Sequence, residues 1–152
     1  MMFSRWNIVK QVQKAVSYCV HDQRLLVFRH LDFPIEETGL QVPAGSVQDG
    51  ETPEAAALRE TSEETGMDAF ELVRLLGRNT YDMRPYRDEV QERWFFHLRP
   101  TTQLPAKWFS LEMHDGTGEP TRLECFWIPI SHGHVLAGGQ GAFLWALERA
   151  QG

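Results

Sequence analysis

The chain has 152 residues, 42% hydrophobic and 24% charged, with a formal net charge of −6. That length holds one domain with a real core, 1–152, and is too short to expect two. The composition excludes a disordered chain, and the acidic balance, which suits solubility, disfavours a generic binder of nucleic-acid backbone, whose affinity comes from Lys and Arg.

Met1 to Asn7 reads as a loose entry, with Phe3 and Trp6 as aromatics able to dock on the body. Val12, Val16, Tyr18 and Val20 fall mostly on one parity and predict a strand. His21-Asp22-Gln23 makes a turn and Leu25 to Phe28 a compact buried strand, so the two predict a hairpin. Arg29 to Gly39 is polar, is broken by Pro34, and reads as a loop. Leu40 to Val42 reads as a short strand stopped by Pro43.

The next element has clear punctuation. Thr52 suits an N-cap, Pro53 the first helical position, and Glu54 the positive end of the dipole. Gly66 is positioned to end the helix as a left-handed cap, which predicts a helix over Pro53 to Thr65.

Phe70 to Leu76 predicts a strand, and Arg78 to Val90, with Pro85, a charged loop. Arg93 to Leu98 predicts a strong strand with Trp94, Phe95 and Phe96 in a row. Thr101 to Pro120 is mostly irregular, with a short strand at Trp108 to Met113. Leu123 to Ile130 is another strand, Gly138 to Gly141 a flexible hinge, and Ala142 to Ala150 a closing helix with Phe143, Leu144 and Leu147 inward. Strands outnumber helices and one helix is inserted between strands, which predicts an α/β chain with a mixed sheet and helices packed on it. Cys19 and Cys125 sit in apolar runs and read as buried thiols. No secretory segment opens the chain, and its apolar runs are too short to span a bilayer. The default location is cytoplasmic.

The helix carries the chemistry. At 100° per residue and with Leu58 at zero, Glu60, Glu63 and Glu64 lie at about 200°, 140° and 240°. Ala55, Thr61 and Ser62 fall on the Leu58 side, which predicts a small buried face opposite a carboxylate face. Glu60 and Glu64 are like-charged at i, i+4, which costs a few tenths of a kcal/mol on an isolated helix. Arg59 offsets part of this by bridging Glu63 or Glu51. Gly45 and Gly50 bracket the loop before the helix and allow a backbone carbonyl to approach the carboxylates. Two or three Glu oxygens, one carbonyl and waters are a donor set for Mg²⁺.

Gly45, Glu51, Arg59, Glu60, Glu63, Glu64 and Gly66 stand at the fixed spacing of the Nudix box, and the segment Gly45 to Met67 resembles that signature of the Nudix hydrolase family. Seven identities at about one chance in fifteen each give roughly one in 10⁸ per start position. Thr61 departs from the pattern, standing where the family has an aliphatic residue. The order of elements resembles the Nudix α/β/α sandwich over almost the whole chain.

The resemblance implies hydrolysis, with Mg²⁺ or Mn²⁺, of the pyrophosphate in a nucleoside diphosphate linked to another moiety. It implies Glu60 and Glu64 as principal metal ligands and Glu63 as a third ligand or the general base. The carbonyl of Ala44 or Gly45 completes the coordination, and Arg59 with Glu51 forms a supporting bridge. Its partner is a small nucleotide, with neither nucleic acid nor membrane expected and room for a homodimer.

Some members use a base outside the box. Glu89 and Glu92 are candidates for it here, with Glu119 and Glu124 behind them. Arg29 and Tyr86 are candidate substrate contacts; Trp94 is a second candidate for stacking on a base, and His132-Gly-His134 reads as a loop. Val42-Pro43-Ala44-Gly45 resembles the entry to the box in ADP-ribose and nucleotide-sugar pyrophosphatases, which often carry a Pro further on, as at Pro85. Tyr81 and Tyr86 instead suit enzymes of dinucleoside polyphosphates. The alternatives to ADP-ribose or nucleotide-sugar hydrolysis are a nucleoside triphosphate or dinucleoside polyphosphate pyrophosphohydrolase, an enzyme of capped RNA ends, which the acidic charge and lack of a basic stripe disfavour, and a non-catalytic nucleotide-binding module.

Overall fold

Strand β1, Lys10–His21, is the axis of the molecule. The computed structural model describes residues 8–113 and 118–151; Phe3, Trp6 and the expected entry segment lie outside the described residues. Strand β2 is Arg24–His30, followed by a one-turn helix α1, Ile35–Thr38, and the short strand β3, Ala44–Ser46. Helix α2 is Pro53–Thr65. Strands β4, Phe70–Asp82, and β5, Glu89–Pro100, form a long hairpin; β6, Lys107–Glu112, and β7, Thr121–Pro129, form another. A 3₁₀ segment, Ile130–Val135, and helix α3, Leu144–Gln151, complete the order.

The seven strands make one mixed sheet, in the order β4-β5-β1-β2-β7-β6 with β3 also on β1. β1 runs parallel to β5 from Lys10 opposite Glu89 to Cys19 opposite Leu98. It runs antiparallel to β3, with Val16, Ala15 and Lys14 facing Ala44, Gly45 and Ser46. Only its end, Val20 and His21, pairs with β2. The expected hairpin turn forms there, with Asp22 and Gln23 both at positive φ, as a two-residue turn matching strand twist requires.

Alternation along β1 builds two cores. Ala15 and Cys19 face α2 together with Leu26, Phe28, Phe96, Leu98, Leu123 and Cys125. Val16, Tyr18 and Val20 face the other way, with Leu25, Val27, Phe95, Ile130 and Leu147 of α3. The result is a helix on each face of a mixed sheet, the expected α/β/α arrangement. Both cysteines are buried free thiols, and burial pushes Cys19 up to about 12. No helix among the described residues is long and apolar enough to cross a membrane.

Several expected elements differ: the loop expected at Arg29 to Gly39 contains α1, and His132-Gly-His134, expected as a loop, lies in the 3₁₀ segment. Leu40–Val42 makes only isolated bridges, Gln41 to Phe28 and Leu40 to Leu136, and the strand instead follows Pro43. The charged stretch Arg78 to Val90 keeps its loop only at residues 83–88, and its two ends are strand; there Arg78 bonds Glu92 across the β4–β5 hairpin at 2.5 and 2.8 Å. The hinge at Gly138–Gly141 is tied down: the Gly138 carbonyl accepts from Arg93, and Gln140 takes Tyr18 on its carbonyl and the Val42 N–H on its side chain.

Candidate active site

Helix α2 begins and ends on its predicted caps. The Thr52 hydroxyl accepts from the Ala55 N–H at 3.1 Å, and Gly66 is left-handed at φ 71° with its N–H on the Ser62 carbonyl. Strand β6 supplies a further anchor. Trp108 Nε1 donates to the Thr65 carbonyl at 2.7 Å and Ser110 Oγ to the Glu64 carbonyl at 2.5 Å, satisfying carbonyls that a helix end otherwise leaves open.

The buried face is rotated from the Leu58-centred face expected. It consists of Ala56, Ala57, Thr61, Glu64 and Thr65, while Ala55 is exposed. The smallest side chains give the closest approach to β1, where Ser17 Oγ donates to the Ala57 carbonyl. Glu64 therefore enters the protein, 6% exposed, and its Oε1 accepts from the Ala44 N–H at 2.7 Å. Burial raises its carboxyl well above the ordinary range, and the charges of Glu112, Glu60 and Glu63 push the same way.

Arg59 organises the rest. Its Nε and Nη2 grip both oxygens of Glu51 at 2.7 and 2.9 Å, and Nη2 also reaches the Ser46 carbonyl at 2.9 Å. Its Nη1 touches Glu60 at 2.8 Å and Glu63 at 3.2 Å. The Gln48 N–H holds Glu51 from the loop side. These bonds to Arg59 and Gln48 keep the Glu51 carboxyl below its usual range. Glu60 is shifted up instead, because burial outweighs Arg59. Its carboxylate lies directly against Gly45: a Cβ on that glycine would stand 2.0 Å from Glu60 Cδ.

Sequence reasoning missed Glu112, whose charge acts on both Glu60 and Glu64. It ends β6, two residues beyond Ser110 and four beyond Trp108. The sequence carries no signal for it: the alternation of that strand turns Phe109, Leu111 and Met113 inward, whereas the structure exposes them and buries Trp108.

The other candidates lie apart from this cluster's hydrogen bonds. Glu89 accepts from Gln91 at 2.7 Å and Glu92 is held by Arg78 and Thr80. Glu124 pairs with Arg29 at 2.7 Å across β2 and β7. Glu119 lines a surface hollow with Asp32 and Arg122. Tyr86, 90% exposed, sits in the β4–β5 turn.

Among the described residues, no three His, Cys, Asp or Glu side chains converge as a ready ligand set. Arg59 occupies an oxygen of Glu60 and one of Glu63. The donor chemistry nevertheless fits a hard divalent cation: oxygen donors only, neighbouring carboxylate charges that raise the proton affinity of Glu60 and Glu64, and a backbone strand free of side-chain bulk at Gly45.

Fold and site together define an α/β protein whose sheet presents a bridged carboxylate helix at its centre. The NUDIX domain family model matches residues 12–132, and the chain belongs to that family. It is 33% identical over 88 residues to an ADP-ribose pyrophosphatase of Bacillus subtilis (strain 168), covering 57% of this chain and 46% of that one. It is 30% identical over 129 residues to Nudix hydrolase 26, chloroplastic, of Arabidopsis thaliana, covering 76% and 57%. The chain thus spans about half the length of these relatives. Among solved structures, a NUDIX hydrolase from Nitrosomonas europaea superposes with a TM-score of 0.63 at 19% identity, over 93% of this chain and 89% of that one.

Proposed function

We propose that the chain hydrolyses the pyrophosphate bond of a nucleoside diphosphate linked to another moiety, of the ADP-ribose or nucleotide-sugar type, with Mg²⁺ or Mn²⁺. The observation that carries this is the buried Glu64 beside Glu60 and Gly45, locked to the preceding loop through Arg59 and Glu51. The ADP-ribose pyrophosphatase relative supports the substrate type.

Glu60 and Glu64, with Glu63 and the Gly45 carbonyl, would hold the cation. When bound, such a cation supplies charge neutralisation at phosphoryl oxygens and lowers the pKa of a coordinated water. Arg59 and Glu51 are positioning residues that fix α2 against β3. Glu63 is 54% exposed on its side chain and bears the longest of the Arg59 contacts, which leaves it able to take a proton from the attacking water. Glu112 is the competing base from outside the box. The two buried thiols support a cytoplasmic location.

The test is a screen of nucleoside diphosphate derivatives with Mg²⁺ and Mn²⁺, comparing wild type with Glu64→Gln and following thermal stability alongside product. Hydrolysis by wild type and its loss in the variant are expected. Absence of product from every pyrophosphate, with no stabilisation by either metal, would sink the proposal. Glu63→Gln and Glu112→Gln then separate the bases, since the true one lowers kcat without a matching loss of metal affinity.

A further inference from the structure

On the α3 side of the sheet a cleft of about 150 Å³ opens beside β3, lined by Lys14, Val16, Ala44, Gly45, Gln91, Arg93 and Gln140. Arg93 is 8% exposed, yet its contacts are neutral. Its Nε donates to Gln91 Oε1 at 2.9 Å, its Nη1 to the Gly138 carbonyl at 2.6 Å, and its guanidinium stacks 4.0 Å from the centre of the Tyr81 ring. The nearest carboxylate in this chain of contacts, Glu89, is one side chain removed, bonded to Gln91 Nε2. Among the described residues no Asp or Glu forms an ion pair with Arg93 or with Lys14, although Arg93's neighbour in register on β1 is Lys14 itself. The Lys14 ammonium donates to Ser46 Oγ at 2.9 Å.

Burying a cation against neutral partners carries a desolvation penalty that those partners do not repay, and setting a second cation beside it adds repulsion. Burial and the nearby Arg87 and Arg93 charges act against the Lys14 proton, with Glu89 and Glu60 opposing them. An anion in the cleft removes both costs. The volume is below the roughly 300–1,000 Å³ of sites that enclose a drug-sized ligand, so the cleft suits a phosphoryl group and not a nucleoside. Gly45 belongs to both places: it lines the cleft and abuts the Glu60 carboxylate.

We propose that the Lys14–Arg93 cleft is a phosphoryl-binding subsite, which holds the phosphoryl group next to the one handled at the Glu60–Glu64 cluster. It rests on the pyrophosphate reading of that cluster and adds the residues that grip the second phosphoryl. Lys14 and Arg93 are binding residues in this scheme, with Gln91 and Tyr81 positioning the guanidinium.

The test is calorimetric titration of the metal-free protein with inorganic pyrophosphate, which needs no turnover. Wild type is expected to bind, with Kd raised tenfold or more in Lys14→Gln and in Arg93→Gln and unchanged in Arg99→Gln, a surface control paired with Glu71. Lys14 is only partly buried, so its variant keeps the test valid if Arg93→Gln fails to fold. In turnover, Lys14→Gln is expected to raise KM tenfold or more with kcat within threefold. Failure of wild type to bind pyrophosphate, or wild-type Kd and KM in Lys14→Gln, overturns the subsite. Lys14-dependent binding without hydrolysis of any substrate leaves the subsite standing and sinks the hydrolase proposal instead.

Discussion

Glu60 occupies the space that a side chain on Gly45 would need. A Cβ there would lie 2.0 Å from Glu60 Cδ and 2.3 and 2.4 Å from its two oxygens. The glycine is thus required for clearance at a carboxylate, since its φ is not in the left-handed region. Gly45→Ala is expected to displace Glu60 and lower kcat/KM by a hundredfold or more, with a smaller fall in Tm because Glu60 can swing toward solvent. Crystallography of the variant checks the displacement; an unmoved Glu60 with full activity overturns the claim.

Glu64 sets a pH dependence of unusual sign. Its folded carboxyl is raised above the unfolded value, so the folded state holds the extra proton between the two. Stability contributed by this group is present below about pH 4.3 and falls as pH rises through the folded value. Glu64→Gln keeps an acceptor for the Ala44 N–H and removes the buried charge. Each tenfold difference in proton affinity between the folded and unfolded chain is worth about 1.4 kcal/mol. The metal-free variant is therefore expected to be more stable than wild type at pH 8. Mg²⁺ should raise wild-type Tm more at pH 8 than at pH 5, and leave the variant's Tm unchanged. Denaturant titrations at the two pH values decide it.

Glu51 carries the opposite sign. Its folded carboxyl is depressed, chiefly by Arg59, so its contribution is present above the unfolded value near pH 4.3 and is lost as pH falls through the folded value. Glu51→Gln should flatten the acid limb of the stability curve. Arg59→Lys, which cannot grip both Glu51 oxygens and the Ser46 carbonyl at once, should cost about 1–3 kcal/mol and lower kcat tenfold or more. Retention of wild-type kcat in Arg59→Lys would show that the bridge does not position the helix.

Thr61, the departure from the family pattern, is fully buried and its hydroxyl donates to the Ala57 carbonyl at 2.7 Å. That hydroxyl is satisfied within its own helix, so the site tolerates it. Thr61→Val removes a back-bond that bends helices slightly and keeps the shape. The change in unfolding free energy should stay within about 1 kcal/mol, with kcat unaltered; a loss beyond about 2 kcal/mol would mean the hydroxyl serves more than its own turn.

The helix limits were legible because caps are local: Thr52, Pro53 and Gly66 signal without help from the fold. The box was legible because coordination chemistry fixes residue types at fixed spacing. The direction in which Glu64 points was not, since helical periodicity alone weighs Leu58 over the alanines that β1 selects by close approach. Glu112 and the pairing of Lys14 with Arg93 depend on strand register across long separations, which no window of sequence contains. The β4–β5 hairpin was hidden for the same reason: Arg78 reads as a loop charge until the pairing brings it diagonally across to Glu92.

Helix α2 is fastened to two parts of the sheet at once. Arg59 and Glu64 tie it to β3 beside β1, and Trp108 and Ser110 tie its far end to β6 on the opposite flank. The two ties meet at Glu64, whose side chain is held from β3 and whose carbonyl is held from β6, so the seating of β6 bears directly on the box carboxylates. A substitution far from any carboxylate that lets β6 drift, such as loss of the Trp108 indole N–H, should register first as weakened cation affinity.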